Sequence, residues 1–243
     1  MYFNKKRILI CAHRGGCAHA PENTLLALKC AMEMGADLAE LDLRVTKDEN
    51  LILLHDSSLM RTTGVDKSVN TLTLAEIKQL DAGKIFSHNF VGTKIPTLSE
   101  VFSYVRGKLK ILIDVKASDG YEKIIVRLIQ EYHMELDVII GVRSVKSARR
   151  FKTLNSNIRL LGFIPTPEVV EEYLQAGVDI IRVWKDWNLP KWVSFLHEKG
   201  KPAWWCIYSG HQRQNRELFK YIFKSGVDVV IVDDIIKINE LLK

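Results

Sequence analysis

The sequence predicts an α/β fold, the (β/α)8 or TIM barrel, formed by a single domain over residues 1–243. Eight strand-like apolar runs alternate with helical stretches, which is the pattern of a parallel sheet. A ninth run follows the second so closely that the two must pair as a hairpin. The length of 243 residues matches the ~250 residues that such a barrel typically needs.

The predicted strands and helices follow one another along the whole chain. The strands lie near residues 7–12, 37–43, 51–55, 110–115, 137–142, 158–163, 179–184, 203–208 and 228–233. The helices, which carry apolar residues at three- and four-residue spacing, cover residues 24–34, 121–132, 145–154, 167–176, 190–199, 215–225 and 235–242. The link between runs 37–43 and 51–55 is too short for a parallel crossover. Run 51–55 therefore belongs to the loop after the second barrel strand.

The hairpin and the segment after it are expected at the functional face of the barrel. If residues 47–50 form a regular turn, Asp42 lies opposite His55. The following segment, about 57–108, is too long for an ordinary barrel loop. Its helix-like stretches are 73–80 and 97–105. We therefore predict that its first part is a small insertion over the barrel mouth.

Composition and charge exclude several classes of protein. The net charge of +6 suits an anionic substrate, but Lys and Arg are dispersed and form no basic patch with interleaved aromatics, so we expect no nucleic-acid partner. No apolar run approaches the ~20 residues of a membrane span. The four cysteines lack the spacing of a metal site or a disulfide framework, so we expect reduced thiols in a cytoplasmic protein.

Residues with chemical potential lie at the ends of predicted barrel strands, where the active sites of such barrels are found. The first strand leads into His13-Arg14-Gly15-Gly16, whose glycines allow a sharp turn that leaves the imidazole and guanidinium able to reach a ligand. On the second strand, the period of two places Glu40 and Asp42 on one face. Asp114 and Lys116 share a face at the end of the third barrel strand.

The three carboxylates predict a cation site. Glu40, Asp42 and Asp114 form an all-oxygen set that suits Mg²⁺ or Ca²⁺, whereas a structural zinc site would have more Cys or His ligands. The structural alternative is a network in which Lys116 and Arg14 pair with these carboxylates. The histidines nearby favour a functional site, since so many polar groups are costly for structure alone.

Several short segments occur in an order and spacing shared with one enzyme family. They are Ala12-His13-Arg14-Gly15, Pro21-Glu22-Asn23-Thr24, Glu40-Leu41-Asp42, His55-Asp56, Arg61-Thr62-Thr63-Gly64, Ile95-Pro96-Thr97-Leu98 and Gly226-Val227-Asp228 leading to Asp233. Through them the sequence resembles the glycerophosphodiester phosphodiesterases over most of its length. The resemblance implies a TIM barrel with a small insertion after His55, in agreement with the strand count.

The resemblance implies metal-dependent hydrolysis of a small glycerophosphodiester to glycerol 3-phosphate and an alcohol. In that family, the histidines matching His13 and His55 act as general base and general acid, two tasks suited to a side chain with a pKa of ~6.5. By resemblance, the glycerol 2-hydroxyl attacks phosphorus, and water then opens the resulting cyclic phosphate.

The resemblance also implies a divalent metal, Mg²⁺, Ca²⁺ or Mn²⁺, held by carboxylates matching Glu40, Asp42 and Asp114. We expect Arg14 and Lys116 to bind the substrate and neutralise charge on its phosphoryl oxygens. The guanidinium can do so through two parallel hydrogen bonds, whereas the ammonium acts as a point charge.

Two features depart from the family pattern. Asp114 stands where the family usually has glutamate two residues before its lysine, and the shorter side chain predicts weaker metal affinity. In segment 203–209, where the family tends to have one tryptophan followed by Thr-Val-Asn, this chain has two tryptophans. Either Trp204 or Trp205 faces the barrel mouth as an apolar wall for the substrate, and core packing is the other role open to each. We carry Trp205 forward as the candidate.

Two other functions stay open. One is a lysophospholipase D-like activity on a substrate that keeps one acyl chain, suggested by extra tryptophans near residues 184–192 and opposed by the lack of an apolar anchor run. The other is a phosphodiester-binding barrel with impaired catalysis, suggested by Asp114 and the altered tryptophan segment. The pattern indicates neither the headgroup of the substrate nor the oligomeric state.

Overall fold

Eight parallel strands close into a barrel in the computed structural model, which describes residues 7–117, 119–207 and 216–241. Within these ranges the strands are β1 (Leu9–Ala12), β2 (Leu38–Val45), β3 (Leu51–Leu53), β4 (Lys110–Val115), β5 (Val138–Val142), β6 (Arg159–Gly162), β7 (Ile180–Val183), β8 (Ala203–Ile207) and β9 (Val229–Val232). Strand β3 is antiparallel to β2. The others follow the order β1-β2-β4-β5-β6-β7-β8-β9, and β9 pairs with β1 to close the ring. The predicted TIM barrel is confirmed.

Helices follow the barrel strands and cover their outer face. In the described part of the chain they are α1 (Leu25–Glu33), α2 (Met60–Thr63), α3 (Leu74–Ile77), α4 (Leu98–Val105), α5 (Glu122–Glu131), α6 (Val145–Leu154), α7 (Val170–Gln175), α8 (Leu189–Glu198), α9 (Arg216–Ser225) and α10 (Ile235–Leu241). The predicted element ends at residues 208, 215 and 242 lie outside the described residues. Over the described ranges, none of the helices has the length and apolar composition needed to cross a membrane.

Alternation along the strands separates an inner core from an outer one. The side chains inside the barrel are Cys11, Leu38, Leu112, Ile139, Leu161, Phe163, Ile180, Trp204, Cys206, Val229 and Ile231. Intervening residues such as Leu41 pack outward against the helices. Because Leu38 points inward, the same period of two places Glu40 and Asp42 inside, nearer the carboxyl end of β2. The strand pattern thereby positions acidic side chains at the barrel mouth.

The hairpin register differs by one residue from the regular turn expected from the sequence. The Leu54 N–H donates to the Asp42 carbonyl at 2.9 Å, so Leu54 rather than His55 lies opposite Asp42. The cause is a shorter turn: the Thr46 N–H donates to the Asn50 carbonyl at 3.0 Å, so the turn has three residues, 47–49, rather than four. Glu49, the last of the three, adopts a left-handed φ of 60°. The shift leaves His55 one position beyond the paired residues, at the mouth of the barrel.

The first part of the segment after the hairpin has a small core of its own. This core consists of Ile52, Leu54, Leu59, Val69, Leu72, Ile77, Ala82 and Ile95. Helix α4 instead packs through Phe102 into the outer core of the barrel, so it is the barrel helix that follows β2. The assignment of residues 1–243 to one domain stays a prediction.

Candidate functional site

Side chains at the carboxyl ends of the barrel strands surround a cavity of about 60 Å³. It is lined by His13, Arg14, Glu40, Asp42, His55, Asp114, Lys116, Arg143, Phe163, Arg182, Trp184, Cys206 and Ile231. The structure therefore brings together every site residue named from the sequence except Trp205. A larger groove of about 830 Å³ between α5 and α6 shares no residue with this cavity.

Glu40, Asp42 and Asp114 form a buried cluster of carboxylates. The register of β2 and β4 makes Asp42 and Asp114 direct neighbours, and Glu40 lies two residues earlier on the same face. The carboxylate oxygens lie within 4.8 Å of one another. Each of the three residues is at most 3% exposed. Like charges buried this close together require positive compensation.

Lys116 and Arg143 compensate part of this negative charge. The Lys116 Nζ lies 3.2 Å from an oxygen of Asp42 and 3.2 Å from an oxygen of Asp114. Arg143 donates from Nε and Nη2 to the two oxygens of Asp114 at 3.1 and 2.7 Å. Arg143 is not among the site residues predicted from the sequence, although its place directly after β5 was a usable signal.

The two carboxyl groups of β2 differ in their tendency to ionise. Burial raises the pKa of Glu40 well above its usual value, and the charges of Asp42 and Asp114 raise it further. Burial also opposes ionisation of Asp42, but Lys116 and a hydrogen bond from Asn23 outweigh it and lower the pKa. A divalent cation would relieve the repulsion that acts on Glu40. The all-oxygen donor set therefore fits a hard cation.

The side chain of Asn23 binds both the side chain and the backbone of Asp42. The Asn23 amide donates to Asp42 Oδ2 at 2.9 Å, and its Oδ1 accepts from the Asp42 N–H at 2.9 Å. Asn23 has a left-handed φ of 57°, which asparagine tolerates better than most residues. The cap of α1 is supplied by Thr24, which accepts from the Ala27 N–H at 3.2 Å. Asn23 therefore serves the site rather than the helix.

His13 begins the turn that follows β1 and contacts a carboxylate through each ring nitrogen. Arg14 and Gly15 have φ values of 51° and 80°, so the chain turns away directly after the imidazole. The Nδ1 atom lies 2.5 Å from Asp233 Oδ1. Because a carboxylate accepts the hydrogen bond, Nδ1 carries the proton and Nε2 is the nitrogen able to accept another. Nε2 lies 3.9 Å from Glu40, and this arrangement suits a general base.

For a reaction in which His13 acts as the base, Asp233→Asn is expected to lower kcat by at least ~10²-fold with little change in KM, because the amide no longer enforces the tautomer of His13. Steady-state kinetics on folded protein measures both constants. The matched control is Asp228→Asn, since Asp228 accepts from His197 at 2.8 Å at the opposite end of β9. If the two variants lose kcat equally, Asp233 has no specific effect on His13.

His55 follows β3 and is held from two directions. Its Nδ1 lies 2.6 Å from Asp56 Oδ1. Its carbonyl accepts from Arg44 Nε and Nη2 at 2.9 and 2.7 Å. Burial lowers the pKa of His55 below its ordinary value, against the opposing effects of Asp56 and Asp42. The ring is therefore mainly neutral at pH 7, and it must gain a proton before it can act as an acid.

A chain of ion pairs joins the loops that carry the two histidines. Glu22 accepts from Arg14 Nη1 at 3.1 Å and from Arg61 Nη1 at 2.6 Å. Arg61 Nε in turn donates to Asp56, the neighbour of His55, at 2.5 Å. Burial acts to raise the pKa of Glu22, but Arg61 and Arg14 outweigh this effect and lower the pKa below its usual value. The ionised Glu22 thus stabilises the position of both loops.

Trp205 lies on the helix side of β8, and this placement corrects the expectation that it contacts the substrate. Strand alternation turns Trp204 and Cys206 into the barrel and Trp205 into the outer core, where it is 3% exposed. Trp204 belongs to the inner core and does not line the cavity. The aromatic residues that do so are Phe163 and Trp184.

Comparison with known proteins gives one consistent result. The model of the glycerophosphoryl diester phosphodiesterase family matches residues 13–237. The chain is similar to glycerophosphodiester phosphodiesterase of Caldanaerobacter subterraneus subsp. tengcongensis, with 34% identity over 237 residues that cover 94% of this chain and 95% of that protein. It is also 33% identical to human glycerophosphodiester phosphodiesterase 1 over 73% of this chain and 48% of the human protein.

Solved structures of related proteins share the fold. A glycerophosphoryl diester phosphodiesterase from Parabacteroides distasonis superimposes with a TM-score of 0.85 at 27% identity, covering 99% of this chain and 88% of that one. An Oleispira antarctica phosphodiesterase in complex with the product sn-glycerol-3-phosphate has a TM-score of 0.83 at 23% identity, covering 96% of each chain.

Proposed function

The chain belongs to the glycerophosphoryl diester phosphodiesterase family, and on this premise we propose that it hydrolyses glycerophosphodiesters to glycerol 3-phosphate and an alcohol by two-histidine catalysis. The strongest support is a buried cluster of three carboxylates flanked by two histidines at the barrel mouth. The Nε2 atom of His13 lies 3.9 Å from an oxygen of Glu40. The negative charge of Asp42 acts to raise the pKa of His55. These contacts support a site in which two acid–base groups line the cavity where a phosphodiester would bind.

In the first step, the glycerol 2-hydroxyl attacks phosphorus. His13 accepts the hydroxyl proton at Nε2, the nitrogen that its contact with Asp233 leaves able to take one. His55 donates a proton to the departing alcohol oxygen as its bond to phosphorus breaks. The products of this step are the free alcohol and a cyclic glycerol phosphate.

In the second step, water opens the cyclic phosphate and the histidines exchange roles. His55, which has given up its proton, accepts one from the attacking water. His13 returns its proton to the 2-oxygen of glycerol as that oxygen leaves phosphorus. Glycerol 3-phosphate is released, and both imidazoles regain their starting protonation states.

Charge on the phosphoryl oxygens requires positive groups at the same position. Arg14 and Lys116 line the cavity and would neutralise this charge as the transition state forms. A divalent cation, Mg²⁺, Ca²⁺ or Mn²⁺, held by Glu40, Asp42 and Asp114, would supply further positive charge there.

Release of glycerol 3-phosphate from glycerophosphocholine and glycerophosphoethanolamine tests the proposal, with each of the three cations and with EDTA. Turnover that depends on the cation supports it. Faster reaction with a lysophospholipid than with glycerophosphocholine would instead favour the lysophospholipase D-like function. Tight binding of a diester without turnover under any condition would favour the catalytically impaired barrel.

Asp114→Glu is expected to tighten binding of the divalent cation by roughly tenfold, because the longer side chain can coordinate it directly rather than through water. Titration calorimetry with Mg²⁺ and Mn²⁺ measures the dissociation constant. The control is Asp119→Glu, the same change at a half-exposed carboxylate that pairs with Lys146 at 3.0 Å outside the cavity. An unchanged constant in Asp114→Glu would show that side-chain length at this position does not limit affinity.

A further inference from the structure

The side of the cavity farthest from the catalytic histidines is formed by Phe163, Arg182 and Trp184, which we call the aromatic wall. Strands β6 and β7, which carry these residues, lie across the barrel from β1 and β2. The mechanism proposed above uses none of the three side chains. In a substrate whose phosphorus lies near the carboxylates, the oxygen of the departing alcohol would lie beside His55, and the rest of that alcohol would extend across the cavity toward this wall.

Both rings of the aromatic wall are held in place by neighbouring groups. A Cβ atom at Gly141 would lie 2.4 Å from the Phe163 ring, so only glycine at this position lets the ring pack across the end of β5. The Trp184 indole N–H donates to the Ile164 carbonyl, which sets the orientation of the indole. Arg182 is only 2% exposed. Contacts within the protein therefore set the position of the wall.

The faces of these rings are engaged by the protein's own guanidinium groups. The Arg182 guanidinium carbon lies 3.6 Å from the centroid of Trp184 and 5.8 Å from that of Phe163. The guanidinium carbon of Arg143 lies 4.7 Å from the Phe163 centroid. Proteins that recognise choline-type ligands do so with open aromatic faces. Here a guanidinium group of the protein already lies over each of the two rings.

The carboxylates of the cavity are already in contact with other groups, so they do not offset this effect for a cationic headgroup. Lys116 contacts both Asp42 and Asp114, and Arg14 donates its backbone N–H to Glu40 at 2.9 Å. A cationic headgroup would have to compete with these contacts and would be repelled by the guanidinium groups of the wall. Hydroxyl or anionic oxygens would instead accept hydrogen bonds from such donors.

We propose that the aromatic wall selects substrates by the charge of their alcohol group, favouring uncharged polyol or anionic alcohols over choline and ethanolamine. The proposal rests on the proposed function for the cleaved bond and adds the substrate class. Arg182 is the residue that determines this specificity, through repulsion of cations and hydrogen bonding to oxygen.

Two diesters of nearly equal size provide the test: glycerophosphocholine and its analogue in which carbon replaces the quaternary nitrogen. Their binding to the His13→Ala variant is measured by calorimetry, and kcat/KM is measured on the unmodified protein. We expect about tenfold tighter binding of the uncharged analogue. We expect glycerophosphoglycerol to be preferred to glycerophosphocholine in turnover as well. Equal or tighter binding of the choline ester would overturn the proposal.

Arg182→Gln in the His13→Ala background is expected to bring the ratio of the two dissociation constants close to one. The matched control is Lys199→Gln, since the Lys199 Nζ lies 4.9 Å from the Phe195 centroid on α8, outside the cavity. That variant should keep the tenfold ratio. A tenfold ratio in folded Arg182→Gln, checked by circular dichroism, would overturn the role of Arg182.

The binding measurement separates this inference from the proposed function. If the unmodified protein cleaves neither diester but the uncharged analogue still binds tighter, the hydrolytic function fails and the charge selection stands. If both diesters are cleaved and bind equally, the hydrolytic function stands and the charge selection fails. If Arg182→Gln does not fold, the comparison of the two diesters in His13→Ala still decides whether the cavity discriminates by charge.

Discussion

Replacing either cavity histidine is expected to remove most of the catalytic rate. His13→Ala should lower kcat by ~10²–10⁴-fold, or about 3–5 kcal/mol of transition-state stabilisation, since a positioned acid or base typically contributes this much. His55→Ala should cause a loss of the same order. Because the two histidines act in one proton-transfer sequence, the double variant should be far less impaired than the product of the single effects implies. The assay is release of glycerol 3-phosphate from glycerophosphocholine.

The control for this experiment is another histidine that pairs with a carboxylate. His197 Nε2 lies 2.8 Å from Asp228 at the amino-terminal end of the barrel, remote from the cavity. His197→Ala is expected to retain a kcat close to that of the unmodified protein once folded protein is compared. If His13→Ala or His55→Ala retained a kcat of the same order as the unmodified protein, the assigned acid–base role of that residue would be ruled out.

Asp42→Asn is expected to abolish measurable binding of a divalent cation, and EDTA is expected to remove the activity of the unmodified protein. Asp42 is the central carboxylate of the cluster, adjacent to Asp114 across the sheet and to Glu40 along β2. A neutral amide there lowers the negative charge that attracts the cation. Calorimetry and the glycerol 3-phosphate assay measure the two effects separately.

The acidity of Glu40 adds a pH dependence to cation binding. Burial and the charges of Asp42 and Asp114 raise the pKa of Glu40 well above its usual value. Below that raised pKa, the proton competes with the cation, so affinity should fall as the pH decreases through it, and binding should release protons. Calorimetry in buffers of different ionisation enthalpy would detect the released protons.

A carboxylate remote from the cavity is the control for the cation experiments. Asp179 accepts from Lys152 Nζ at 2.8 Å and from the Leu160 N–H at 2.9 Å, at the opposite end of the barrel. Asp179→Asn should leave cation affinity unchanged. Activity that survives EDTA, together with no detectable cation binding, would contradict a role for the three-carboxylate cluster in holding a metal.

The spacing of apolar residues along the chain was sufficient to predict much of the architecture. Alternating apolar runs and amphipathic stretches predicted the barrel, and the short link before residue 51 predicted the antiparallel hairpin. These predictions succeeded because strand and helix periods depend on residues close together in the chain. The same period predicted that Glu40 and Asp42 share a face, which the inner position of both residues confirms.

The hairpin register and the orientation of the tryptophans show where local patterns were insufficient. A three-residue turn with a left-handed Glu49 replaces the predicted four-residue turn and displaces His55 by one position. Which of Trp204 and Trp205 points inward depends on how β8 pairs with β7 and β9, since a shift of one residue would exchange the two faces. Residues 203–207 are apolar on both faces of β8, so alternation alone did not distinguish the two tryptophans.

Partners from distant parts of the chain could be assigned only from the closed barrel. His13 and Asp233 are separated by 220 residues, and the pairing of β1 with β9 brings them into contact. Arg143 reaches Asp114 because β4 and β5 are neighbours in the ring. Local sequence thus specified the barrel and the chemical groups at its strand ends. Closure of the ring set their distances, burial and charge partners, because these depend on residues that meet only when all eight strands are in register.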